Sequence, residues 1–66
     1  MTFESWLEAV DRCFINATGM FRDDWPDQDY WNMFDSGLTP MEATIEAIEY
    51  EYGEEGLAAF NLERAY

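Results

Sequence analysis

The chain predicts an all-α fold, a compact bundle of three helices plus a weaker C-terminal fourth helix, and three observations point there. Apolar residues recur at three- and four-residue spacing in successive stretches. Residues that start and stop helices fall at the ends of those stretches. No segment alternates apolar and polar residues between hairpin turns, so no strand is expected.

The first helix is marked by Phe3, Trp6, Leu7, Val10, Cys13 and Phe14, which form one apolar stripe. Its other face carries Glu4, Glu8, Asp11 and Arg12. Thr2 is the expected N-cap, and Gly19 stands where a left-handed residue ends a helix. Residues 20–26 read as a connection. A second helix is expected from about Trp25 to Ser36, capped by Asp24, with Pro26 tolerated in its first turn. Tyr30, Met33 and Phe34 would point inward and Gly37 would close it, while Asp24, Asp27 and Asp29 suit the positive end of the helix dipole.

Thr39-Pro40-Met41-Glu42 is the strongest local signal. Thr39 at the N-cap and Glu42 three residues on make a capping box, and Pro40 fits the first helical position. Helix three then proceeds through Ile45, Ile48 and Tyr52 to Gly53. Beyond Glu54-Glu55-Gly56, the residues Leu57, Ala58, Ala59, Phe60 and Leu62 suggest the weaker fourth helix.

Residues 1–66 make a single acidic helical domain. Fifteen acidic residues face three basic ones, with no histidine and no lysine, for a formal charge of -12. Such charge opposes compaction, yet 48% of the residues are hydrophobic and five Phe, four Tyr and three Trp are present. That content argues for a packed core over a disordered polymer. A chain this short buries only about 60% of its unfolded surface.

Function classes narrow quickly. Cys13 is the single cysteine, which rules out an internal disulfide and a multi-cysteine zinc site. It reads as a small apolar residue on the first helix. Without His or Lys the usual nucleophile–base pairs cannot be assembled, so no catalytic role and no cofactor are expected. Asp23, Asp24, Asp27 and Asp29 lack calcium-loop spacing, with Pro26 in the middle, and no metal site is expected. The acidic Met1-Thr2-Phe3-Glu4 does not resemble a secretory signal, and the expected setting is the cytoplasm of a bacterial host. Nucleic acid and anionic membranes would repel the chain.

The pattern Phe3-x-x-Trp6, Val10-Asp11, Gly19, Asp24-Trp25-Pro26-Asp27-x-x-Tyr30, Phe34, Gly37, Thr39-Pro40-x-Glu42-Ala43 resembles a group of small uncharacterised bacterial and phage-type helical proteins. The resemblance spans about the first two thirds of the chain and stops short of the tail after Gly53. It implies a helical fold in a bacterial or mobile-element setting and supplies no activity.

What remains is binding. Glu42, Glu46 and Glu49 share one face of helix three, and Glu51, Glu54 and Glu55 follow with no basic residue among them. Glu42 to Glu51 spans about 13.5 Å of helix. Four carboxylates over that length come to roughly one per 3.4 Å, the phosphate spacing of one DNA strand. Asp23 and Asp27 offer a second acidic ridge, and Trp25, Trp31, Tyr50 and Tyr66 are candidate exposed anchors. The leading expectation is an acidic protein that occupies the basic surface of a nucleic-acid-binding protein, as a DNA mimic or phage- or plasmid-type inhibitor. The alternative is a small accessory or homo-oligomerising module packing through its aromatic surface.

Overall fold

A computed structural model describes residues 1–62; Arg64 and Tyr66 lie outside the described residues. Helix α1 runs Phe3–Thr18. Thr2 Oγ1 accepts from the Ser5 amide at 3.2 Å, satisfying one of the loose N–H groups of the first turn. Gly19 ends the helix in the left-handed conformation, its amide donating to the Ile15 carbonyl. The stripe read from the sequence turns inward, with Trp6, Val10 and Phe14 buried. Cys13 is half-buried.

The second helix begins later than the sequence suggests. A proline ring crowds the residue before it out of helical geometry, and Trp25, which precedes Pro26, is extended at φ -105, ψ 157. Asp24 therefore closes a short 3-10 turn, Arg22–Asp24, and caps no α-helix. The capping role passes to Asp29, whose Oδ1 accepts from the Asn32 amide at 3.1 Å. Helix α2 spans Tyr30–Asp35. Its exit is a Schellman motif: the Gly37 amide donates to Phe34 O and the Leu38 amide to Met33 O. The Leu38 carbonyl in turn accepts from Trp6 Nε1 at 2.9 Å. This bond satisfies a buried indole and ties the α2 exit to the first turn of α1.

Helix α3 runs Pro40–Ala59 and opens on the expected capping box. Thr39 Oγ1 accepts from the Glu42 amide at 3.1 Å, and Glu42 Oε1 accepts from the Thr39 amide at 2.8 Å. The segment after Gly53, read from the sequence as a fourth helix, is not a separate element. It continues α3 past a kink at Gly53, where φ 67 and ψ -162 leave helical geometry. A second Schellman motif ends it, with Leu62 N donating to Leu57 O and Asn61 N to Ala58 O. Asn61 sits there at φ 56, a conformation asparagine tolerates better than most residues.

Helix α1 packs chiefly on α3, and the core joins Trp6, Val10 and Phe14 to Ala43, Ile45, Ala47, Ile48 and Leu57. Thr44 is fully buried, but its hydroxyl donates to the Pro40 carbonyl at 2.9 Å. Small residues at 43 and 47 let α1 lie close, and the aromatic rings fill what remains.

Gly53 provides a test of the kink. Its backbone lies in a region nearly exclusive to glycine, and nothing stands within 4 Å of where a Cβ would be. Gly53→Ala should therefore lose stability through backbone strain alone, by roughly 1–3 kcal/mol in urea unfolding. A loss under about 0.5 kcal/mol would show that the kink relaxes freely.

Candidate binding surface

Trp25 organises one end of the molecule. It is buried, and its ring centroid lies 5.6 Å from Phe14, 5.4 Å from Tyr52 and 5.9 Å from Phe60. Those partners come from α1, from α3 just before the kink and from the end of α3. The extended backbone that Pro26 imposes is what swings Trp25 into this position. It is thus a wall of the surface and not the exposed anchor the sequence suggests. Tyr52 reverses the other way: grouped by spacing with Ile45 and Ile48, which are buried, it is 59% exposed and meets Trp25 in a T-shaped contact.

Between the connection and the kinked end of α3 lies a groove of about 410 Å³. Buried Trp25 and Gly56 and half-buried Phe60 line it, with the exposed Met20, Pro26, Tyr52 and Ala59 and the exposed carboxylates of Asp24 and Glu55 around them. Gly56 is required by proximity, since a Cβ there would collide with Tyr52 Cβ. The Gly53-x-x-Gly56 spacing is the sequence signal for this close approach. Met20, Gly56 and Phe60 do not emerge as site residues from composition or periodicity.

The groove takes one carboxylate from each acidic stretch, Asp24 from the connection and Glu55 from α3. Nearby in sequence, Gln28 Nε2 donates to Glu51 Oε1 at 3.3 Å, a second link between these two segments. Asp23, Asp27, Glu51, Glu54 and Glu55 are all exposed. The other part of the expected ridge has a different character. Glu42, Glu46 and Glu49 are half-buried, none of the three is without a partner, and Glu42 serves the capping box. Among the described residues, no group of three or more His, Cys, Asp or Glu is arranged to hold a metal ion. No helix there is long and apolar enough to cross a membrane.

Arg22 belongs to the fold and not to the surface. Its Nε donates to Asp11 Oδ1 at 2.9 Å, Nη2 lies 3.5 Å from Asp23 Oδ1, and the guanidinium sits 5.3 Å from the Tyr30 ring centroid. One cation thus holds the connection to α1 and leaves the acidic excess outside. Tyr30 is buried beneath it, and burial pushes its phenol up to about 12, reinforced by Asp27 and Asp11 and opposed by Arg22. The Tyr30 hydroxyl and Trp25 Nε1 are buried with no hydrogen-bond partner among the described residues.

A separate aromatic patch lies on the α1–α2 side. Trp31 is 57% exposed and packs at 5.1 Å against Phe3 and 5.7 Å against Phe34. Phe34 also contacts the Trp6 ring at 5.5 Å, so the patch is continuous with the core. Tyr50 is exposed as expected.

Among known proteins, the chain is similar to the Gene 87 protein of Mycobacterium phage L5. The two are 36% identical over 52 residues, which is 79% of this chain and 98% of the relative. No family model matches the chain, and no solved structure matches it.

The orphaned phenol leads to a test. The folded chain holds the Tyr30 proton to about 12 against an ordinary value of 10.0. Its share of stability is complete below the lower value and is lost as pH rises through the upper one. Tyr30→Phe should flatten that alkaline decline in urea unfolding. It should also raise stability at neutral pH by about 1 kcal/mol, since among the described residues no hydrogen bond is lost and an unsatisfied group is removed.

Proposed function

The chain belongs to the family of the Gene 87 protein of Mycobacterium phage L5, and on that footing we propose that it is a phage-type acidic binding protein with no catalytic step. Its target is the basic surface of a nucleic-acid-binding protein, which it occupies in place of nucleic acid. The observation that supports this reading is that carboxylates of two segments, Asp24 of the connection and Glu55 of α3, line one groove on a folded scaffold. Asp23, Asp27, Glu51 and Glu54 of the same segments are exposed as well, on a chain of formal charge -12. A field of that sign speeds encounter with a cationic surface and repels free nucleic acid. Holding the carboxylates on a folded frame spares most of the ordering entropy that a floppy acidic tail would lose on binding.

The charge-carrying positions follow from exposure. Glu51, Glu54 and Glu55 can be neutralised without touching the capping box, whereas Glu42 cannot. A mycobacterial lysate passed over the immobilised chain should yield a basic nucleic-acid-binding protein that added duplex DNA displaces. The triple variant Glu51→Gln, Glu54→Gln, Glu55→Gln should slow association with that protein roughly tenfold and reduce its salt dependence. Unchanged rate and salt response in the triple variant would reject the reading.

The patch around Trp31 supports a second reading, a small accessory or self-associating module. Exposed tryptophan backed by two aromatic rings is the composition of an interface anchor. In that case sedimentation should show association that resists added salt and disappears in Trp31→Ala. A monomer at every salt concentration would dismiss it.

A further inference from the structure

The groove beneath the acidic rim has a chemistry that charge attraction alone leaves unused. Its buried and half-buried lining, Trp25, Gly56 and Phe60, is apolar, and its exposed lining includes one carboxylate from each of the two segments that bound it, Asp24 and Glu55. A volume of about 410 Å³ falls within the range of built ligand pockets. We propose that this groove between the Trp25 connection and the kinked end of α3 seats one apolar side chain of a basic peptide segment, with arginine or lysine on either side reaching Asp24 and Glu55. The inference rests on the acidic-binding reading and adds the identity of the segment that the partner presents.

Charge and shape together select this occupant. An anionic ligand is repelled by the net charge, and a neutral polar one leaves the apolar lining of Trp25, Phe60 and Met20 without a counterpart. A purely cationic chain would satisfy the rim and leave Trp25, Phe60 and Met20 wet. A purely apolar ligand would fill the groove and desolvate two carboxylates without compensation. An apolar side chain between two cations satisfies both parts at once. The groove also exists only through a specific backbone: Gly53 turns the end of α3, and the absence of a Cβ at Gly56 lets it close onto Tyr52.

The test uses the full chain and two short peptides, one with a central leucine between paired arginines and one with serine in its place. Affinity is read by titration calorimetry, and location by amide shifts at Gly56 and Ala59 together with the Trp25 indole N–H. The leucine peptide should bind roughly ten- to hundredfold more tightly, the effect of burying one aliphatic side chain. Ala59→Phe, which fills the groove from its lip, should erase that advantage and leave the serine peptide unaffected. Met20→Trp fills it from the facing lip and decides the matter if Ala59→Phe fails to fold. Asp24→Asn with Glu55→Gln should weaken both peptides. Equal affinities with an intact salt response, or a leucine advantage that survives both filling variants, would overturn the groove alone. A leucine advantage indifferent to salt and to the neutralised rim would instead sink the acidic-binding reading and the basic flanks with it. No binding of either peptide overturns both.

Discussion

The seat of Trp25 is the contact on which the rest of this molecule depends. A short chain with a heavy excess of negative charge has little core to offset self-repulsion, so each large ring has to join several elements. Trp25 does so from a segment with no α-helix of its own, meeting Phe14 of α1, Tyr52 of α3 and Phe60 at the end of α3. Pro26 holds the backbone extended, which presents the indole inward. Without that seat the connection would have no reason to lie against α3, and the two acidic stretches would not share a groove.

Electrostatics are sorted by depth. Arg22 lies inside, bonded to Asp11 and stacked by Tyr30, and so it neutralises charge where the chain crosses itself. The planar guanidinium suits this position, since it bonds a carboxylate and lies over a ring at once. The carboxylates of the connection and of residues 51–55 stay in solvent, where repulsion is screened and desolvation is avoided. The arrangement tolerates a large net charge by keeping the repulsive groups in solvent and the aromatic rings of the core beneath them.

Much of the fold was legible in the residues, and the failures have physical causes. The stripe of α1 and the capping box of α3 involve local spacing and local hydrogen bonds, which a sequence displays directly. Helix two is misplaced because Pro26 permits two readings, a first-turn proline or a block on the residue before it. The burial of Trp25, which no local pattern records, accompanies the second. The fourth helix differs for a subtler reason: Gly53 does interrupt the helical dihedrals, but the helical pieces before and after it meet across a kink within Pro40–Ala59 and form no separate element. Asn61, not a glycine, supplies the final left-handed residue. The acidic surface was legible as a composition, while its division between half-buried Glu42, Glu46 and Glu49 and exposed Glu51, Glu54 and Glu55 required the packing of α3.

The three indoles occupy three unlike settings. Trp6 is buried with its N–H bonded to Leu38 O, Trp25 is buried with no partner for its N–H among the described residues, and Trp31 faces solvent. Nature has thereby built three optical reporters into one small chain, each wired to a different region. Emission colour would separate the wet ring from the dry ones, and variants retaining a single indole would let helix junction, groove and outer patch be watched independently in real time.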